Sequence, residues 1–309
     1  MTSTDNNRIQ KIIPHLWFDD QAEEAATFYT SIFDDSKIAN TSRYTEEGYE
    51  IHGQEAGTVM TVDFELAGLK LIALNGGPHF SFTPAISFFV TCESETEVDS
   101  LWQQLSEGGT PLMPLKEYGW SEKYGWTKDK YGLSWQISLG RLEDVHGQKI
   151  TPSLMFVSNE GQAEEAINLY TSLFDDSDIT GILRYGAGEN QPEGTVMHSQ
   201  FCLNNGEVFM AMDSSPDYAD FTFSEAISLM IQCKTQEEID HFWSLSTVPE
   251  AEQCGWLKDK FGVSWQVSPV QLSEMLNDPN PEKVKQVTKA FLQMKKFDLD
   301  KLREAYRSA

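Results

Sequence analysis

Apolar positions along this chain follow two alternating rhythms, one with the period of a helix and one with that of a strand. Ala22, Ala25, Ala26, Tyr29, Ile32 and Phe33 fall at i, i+3, i+4 and i+7 spacing, as do Ala163, Ala166, Ile167, Tyr170, Leu173 and Phe174. Residues three and four apart share one face of a helix, so the spacing predicts amphipathic helices over about 20–34 and 161–175. Short apolar runs at 12–18 and 150–156 precede them. Strand-like stretches follow the first helix near 37–44, 57–66 and 69–74, with Gly68 supplying a tight hairpin. A second cycle then begins with a strand at 85–92 and a helix at 95–107, and it ends on Ser134–Leu139. The order βαβββ therefore occurs twice in a module, which predicts an α+β fold.

The module itself is duplicated. Phe28-Tyr29-Thr30-Ser31-Ile32-Phe33-Asp34-Asp35-Ser36 returns 141 residues later as Leu169-Tyr170-Thr171-Ser172-Leu173-Phe174-Asp175-Asp176-Ser177, with seven of nine residues identical. Gly125–Ser138 returns as Gly255–Ser268 with ten of fourteen identical, carrying the run Gly-Trp-x-Lys-Asp-Lys-x-Gly-x-Ser-Trp-Gln-x-Ser. A repeat of this length is two tandem copies of one supersecondary unit. The expected organisation is a polar disordered leader at 1–10, module 1 at 11–145, module 2 at 146–270 and a C-terminal helical tail at 271–309. Within each module a helix covers one face of each strand group, so two βαβββ units are expected to form an open curved sheet whose free face is a cleft.

Three segments carry a family resemblance: Pro14–Phe18 with its copy Pro152–Phe156, the turn Asn75-Gly76-Gly77-Pro78, and the closing run. With these the chain resembles, from about residue 11 to its C-terminus, the glyoxalase-like (vicinal-oxygen-chelate) proteins of the PhnB-like, 3-demethylubiquinone-9 3-methyltransferase-like family. The resemblance implies a half-barrel fold, and a fused chain that satisfies internally the pairing single-module members achieve as dimers. In metal-dependent members, His or Glu side chains from three strands meet at one divalent ion that polarises substrate oxygens. Here the last-strand carboxylate is replaced by Gln136 and Gln266, and the fifth strand offers only Ala85, Ile86 and Ser87 or Ala226, Ile227 and Ser228. On the first strand an alignment through Tyr29 puts Pro14 at the ligand position, and His15, one residue along, would face the other way. No metal and no cofactor are therefore expected, and a metal-dependent lyase, isomerase or dioxygenase is the alternative. Methyl transfer, which the family name suggests, lacks a cofactor motif: neither Gly186-Ala187-Gly188 nor Asn75-Gly76-Gly77-Pro78 leads into a helix.

Composition narrows the partners. A formal charge of −25 repels phosphate backbones and anionic lipid, so neither nucleic acid nor a membrane surface is expected to bind. Residues 281–309 carry eight Lys/Arg against four Asp/Glu, which reads as a basic helix docked on an acidic body or as a contact within a homodimer. Cys92, Cys202, Cys233 and Cys254 show no C-x-x-C spacing, which fits a reducing cytoplasm, and Cys92 and Cys233 read as small buried hydrophobes. The abundant tryptophans serve core packing or line an aromatic pocket. Candidate ligand-binding residues are His15, Asn75, Trp126 and Gln136 in module 1, and His198, Asp213 and Gln266 in module 2. His15 either lines a cleft or lies exposed on its strand. The expected function is a cytoplasmic small-molecule-binding protein or a metal-independent enzyme, with a purely structural role favoured if the chain's own tryptophans fill both clefts.

Overall fold

The computed structural model describes residues 10–308. The expected leader lies outside the described residues except for Gln10, whose side-chain amide bonds both backbone groups of Lys70, donating to Lys70 O at 3.0 Å and accepting from Lys70 N at 2.7 Å. The first unit comprises β1 (Ile12–Phe18), α1 (Ala22–Ile32), β2 (Lys37–Arg43), a single turn α2 (Tyr49–His52), β3 (Val59–Leu66) and β4 (Leu69–Asn75). The second comprises β5 (Ile86–Cys92), α3 (Glu95–Ser106), β6 (Thr110–Tyr118), β7 (Ser121–Lys128) and β8 (Ser134–Leu139). The third comprises β9 (Ile150–Val157), α4 (Ala163–Leu173), β10 (Asp178–Arg184), β11 (Val196–Leu203) and β12 (Glu207–Ser214). The fourth has β13 (Ile227–Cys233), α5 (Gln236–Phe242), β14 (Trp256–Lys258) and β15 (Ser264–Pro269), and three tail helices follow, α6 (Val270–Leu276), α7 (Pro281–Leu292) and α8 (Leu299–Arg307).

The fourth unit is one strand short of βαβββ. The offset between matched residues falls from 141 at Trp102 and Trp243 to 130 at Trp126 and Trp256, and short 3₁₀ turns replace the counterpart of β6.

Two sheets form, with strand orders β14-β15-β13-β1-β4-β3-β2 (sheet A) and β10-β11-β12-β9-β5-β8-β7-β6 (sheet B). Each holds two units, as expected, but the two come from different modules. β1 pairs antiparallel with β13, setting His15 opposite Ser228, and β5 pairs antiparallel with β9, setting Ser87 opposite Ser153. The expectation that both units of one module share a sheet is thus corrected. The reason lies in the cores. Ala22, Ala26 and Tyr29 of α1 join Val98, Leu101 and Leu105 of α3 in one buried cluster, and α4 joins α5 in the other. The helix-covered faces of a module's units meet each other, which leaves the edges of β1 and β5 open. Module 2 leaves β9 and β13 open in the same way, and cross-pairing satisfies all four edges.

The closing run has a structural explanation. Asp129 is buried and accepts from Tyr29 Oη at 2.7 Å, Trp135 Nε1 at 2.8 Å, and the backbone N–H groups of Tyr131 and Leu133. Asp259 repeats the arrangement with Tyr170, Trp265, Phe261 and Val263. Burial pushes both carboxyls up in pKa, and the four donors oppose that rise. Each carboxylate ties the first helix of its module to the last strand.

The tail bridges the two edges of sheet A. α6 begins where β15 ends, and Asn277, one residue past α6, lies 3.5 Å from the Asn40 amide on β2. Along the sheet those strands are five spacings apart, roughly 24 Å, whereas a seven-residue helix reaches only about 10 Å. The sheet is therefore strongly curved, and α6 spans its mouth. α7 returns toward β14: Lys285 pairs with Glu47 at 3.2 Å beyond β2, while Cys254 N donates to Met294 O at 2.8 Å just before β14.

Replacing Asp129 or Asp259 by alanine strands two side-chain and two backbone donors in the core. Chemical denaturation should show a loss of roughly 3 kcal/mol or more for either variant, because each buried unpaired donor costs on the order of 1–3 kcal/mol.

Candidate functional site

Strand alternation gives each sheet a helix-covered face and an open face. On β1, Leu16 and Phe18 lie in the core, so Pro14 shares their face and Ile13, His15 and Trp17 look onto the open side. The expected placement is thereby corrected: the first-strand position on the open face belongs to His15, and in module 2 to Ser153, not to the prolines. Trp265 and Val267 are core residues, so Gln266 is on the open face, as Gln136 is between Trp135 and Ile137. By the same parity Ser228 and Ser87 face the open side on β13 and β5.

Because the sheets cross the modules, His15 shares an open face with Gln266, not with Gln136. Gln266 Nε2 donates to Ser228 Oγ at 2.8 Å, and Ser228 lies directly across from His15. His15 is 6% exposed, its ring edge-on to Trp256 with centroids 5.7 Å apart. Among the described residues no group hydrogen-bonds to the His15 ring, and burial lowers its pKa to about 4. Asp63 occupies the same row on β3, separated from His15 by Ile72, and burial raises its carboxyl pKa.

Sheet B repeats the arrangement with its glutamine bonded at both ends. Gln136 Nε2 donates to Ser87 Oγ at 2.8 Å, while its Oε1 accepts from Tyr124 Oη at 2.7 Å. Trp126 Nε1 donates to Ser134 Oγ at 2.7 Å. Ser153 stands where His15 stands in sheet A, and its hydroxyl is buried without a partner among the described residues. His198, at the position of Thr61, is half-buried on β11 with a lowered pKa from burial. At the β6–β7 tip Trp120 is 62% exposed and packs edge-on to Tyr124 at 4.5 Å.

Two expected ligand residues are helix caps. Asn75 Oδ1 accepts from Ala22 N at 2.8 Å and its amide donates to Val59 O, while Asp213 accepts from the backbone N–H groups of Gln162, Ala163 and Val196. Both sit at the ends of β4 and β12 facing α1 and α4, whose own N-cap residues provide no side-chain acceptor. Sequence reasoning placed them in the cleft because their acceptor role spans 53 and 50 residues. The Gly76 turn is likewise structural: a Cβ there would lie 2.1 Å from the Trp17 indole, whose Nε1 donates to Gly77 O at 2.8 Å. Asp63, Tyr124 and Ser153 were missed as site residues, although the alternation Thr61-x-Asp63-x-Glu65 marks a polar strand face. Cys92 and Cys233 are buried, with thiol pKa values pushed up to about 12 by burial, and are inert hydrophobes.

The donor set on either open face does not fit a divalent metal centre. Sheet A offers the His15 imidazole, the Gln266 carboxamide and the Ser228 hydroxyl, with the Asp63 carboxylate two strands away, and sheet B offers the Gln136 carboxamide, the hydroxyls of Ser87, Ser153 and Tyr124, and the His198 imidazole. Among the described residues no three His, Cys, Asp or Glu side chains converge. Hydrogen bonding is the chemistry these groups can perform, with Asp63 the carboxyl group in the row of His15. No helix among the described residues is long and apolar enough to cross a membrane.

The family description 3-demethylubiquinone-9 3-methyltransferase matches residues 10–138 and again 148–268. The PhnB protein from Bacillus cereus is 45% identical over 42% of this chain and 100% of its own, with a TM-score of 0.39. Glyoxalase I from Zea mays is 9% identical over 86% of this chain and 95% of its own, with a TM-score of 0.53, a likeness of fold alone. A mutant form of the same maize protein gives 8% identity and a TM-score of 0.50 over 84% of this chain and 94% of that one. Among curated proteins none matches.

His15 carries a pH signature. Its folded pKa of about 4 lies below the ordinary 6.5, so the unfolded chain binds the proton first and stability is lost as pH falls from 6.5 through 4. Urea unfolding at about pH 7 and about pH 4 should show a loss about 3 kcal/mol larger in the wild type than in His15→Leu.

Proposed function

Because the chain belongs to the 3-demethylubiquinone-9 3-methyltransferase family, we propose that it is a metal-independent small-molecule-binding protein or enzyme whose ligand seats on the open face of sheet A. His15 carries this reading. The ring is nearly buried beside Trp256, and no described residue hydrogen-bonds its nitrogens, so they remain available to a ligand on the open face. The neighbouring Gln266 points the same way. Its counterpart Gln136 has its carbonyl oxygen capped by Tyr124, but Cys254 stands at the equivalent repeat position, and no described residue donates to Gln266 Oε1. Sheet A thus presents an uncapped acceptor, a neutral imidazole that can donate and accept, and the Trp256 indole beside them. These suit an uncharged ligand with a flat apolar surface and both a donor and an acceptor. A ring with a pKa near 4 is uncharged at neutral pH and a weak general base, which favours binding or carbonyl polarisation over proton abstraction.

The test is a screen of uncharged hydroxy- and amide-bearing aromatic compounds, read by His15 ring NMR signals and Trp256 fluorescence. Ligands should perturb both, and His15→Ala or Gln266→Leu should weaken binding about tenfold or more while Gln136→Leu leaves it unchanged, since an unpaired buried group costs on the order of 1–3 kcal/mol. Ligands that perturb only His198 and Trp126 would move the seat to sheet B. Near-stoichiometric Ni, Zn, Fe or Mn in the purified protein, lost on His15→Ala, would overturn metal independence.

A further inference from the structure

Sheet B carries a group of soft donors that has no counterpart in sheet A. We propose that its open face binds a soft monovalent metal ion of the Cu(I) class through His198, Met155, Met210 and Met212. The inference does not depend on sheet A being the ligand seat.

Strand pairing sets the four donors side by side. Met212 of β12 lies directly across from Met155 of β9. Ser199 lies across from Ala211, so the next step of the same antiparallel register brings His198 of β11 opposite Met212. Leu154, Phe156, Phe201, Phe209 and Ala211 belong to the core, and alternation turns the four donors onto the open face. Neighbouring strands are about 4.8 Å apart, and residues two apart on one strand about 7 Å, so an ion above Met212 is within reach of long thioether arms from Met155 and Met210 and of the His198 ring. Met155, Met212 and His198 are half-buried, and Met210 is buried beside Ser153. The Ser153 hydroxyl, 1% exposed and without a partner among the described residues, faces the same side.

The modules diverge at all four positions. In sheet A the matching row holds Trp17, Leu74 and Thr61, with Ile72 two residues before Leu74. None of these is a metal ligand: the Trp17 indole donates to Gly77 O, and the Thr61 hydroxyl bonds Ser42 Oγ at 2.6 Å.

The donor chemistry selects the ion. Thioethers are polarisable and neutral, which suits Cu(I) and leaves hard cations to oxygen ligands. No described residue hydrogen-bonds the His198 ring, and burial lowers its pKa, so the imidazole is neutral and keeps a free lone pair. Four uncharged donors can host a single positive charge, whereas a dication among them would lack the carboxylate or thiolate that offsets its desolvation. The chain's charge of −25 favours a cation nearby. Cys92 and Cys233 do not compete, being buried with thiol pKa values pushed up to about 12.

Silver(I) is the probe, as an air-stable ion of the same softness and charge. The full chain, labelled with carbon-13 at its methionine methyl groups, is titrated with silver nitrate in chloride-free buffer and followed by NMR. The methyl signals of Met155, Met210 and Met212 should shift together with the His198 ring and saturate near one equivalent, while Met230 and Met275 stay in place. Met212→Leu and His198→Leu should each weaken binding about tenfold or more, with the remaining methyl signals reporting an intact fold. Zinc nitrate should leave all three signals unmoved. Silver taken up with those signals unmoved, as binding at Cys202 or Cys254 alone would give, overturns the site. Equal shifts with zinc overturn its assignment to a soft ion.

Discussion

Antiparallel pairing of β1 with β13 and of β5 with β9 joins the modules through backbone hydrogen bonds that neither module can make alone. Everything else in the molecule accommodates this pairing. Side-chain packing obeys the module, since α1 packs with α3 and α4 with α5, whereas backbone hydrogen bonding crosses it. The two networks interlock, so the modules cannot be separated without breaking sheets or exposing four strand edges. A bare edge is a template for pairing with another chain, and duplication within one chain removes that exposure.

The same pairing decides what meets on each open face. His15 is drawn to Gln266 and Ser228, while Gln136 is drawn to Ser87 and Tyr124. Duplication also permits divergence, because two faces built from the same parts need not both serve one purpose. In sheet B the glutamine is saturated at both ends and the long β6–β7 hairpin brings Tyr124 and Trp120 together. In sheet A the hairpin has shrunk to β14, and the space along that edge is taken by the tail, which docks at Cys254. Loss of the tyrosine and arrival of the tail are two aspects of one structural exchange.

Several features were legible because they are local. The helix periods at Ala22–Ile32 and Ala163–Leu173, the duplicated unit and the open-face position of Gln136 and Gln266 all follow from spacing within a few residues. The caps were not. Asn75 and Asp213 look like cleft residues in sequence, and only the approach of α1 and α4 reveals that they serve backbone donors there. The facing of His15 stayed open in sequence for a related reason. A one-residue register shift inverts a strand, and nothing in Pro14-His15 says which of the two meets the helices.

By itself the sequence determined the number of modules, the order of most of their elements, the family they resemble, and the glutamine that stands on the last strand of each module. Periodicity and repetition are properties of neighbours along the chain, so they survive without coordinates. Only the tertiary structure decided which unit shares a sheet with which, that His15 and Gln266 meet, and that the tail spans one open face and not the other. Those choices depend on which edges remain unpaired after the helices have packed, and that is settled by the whole chain at once.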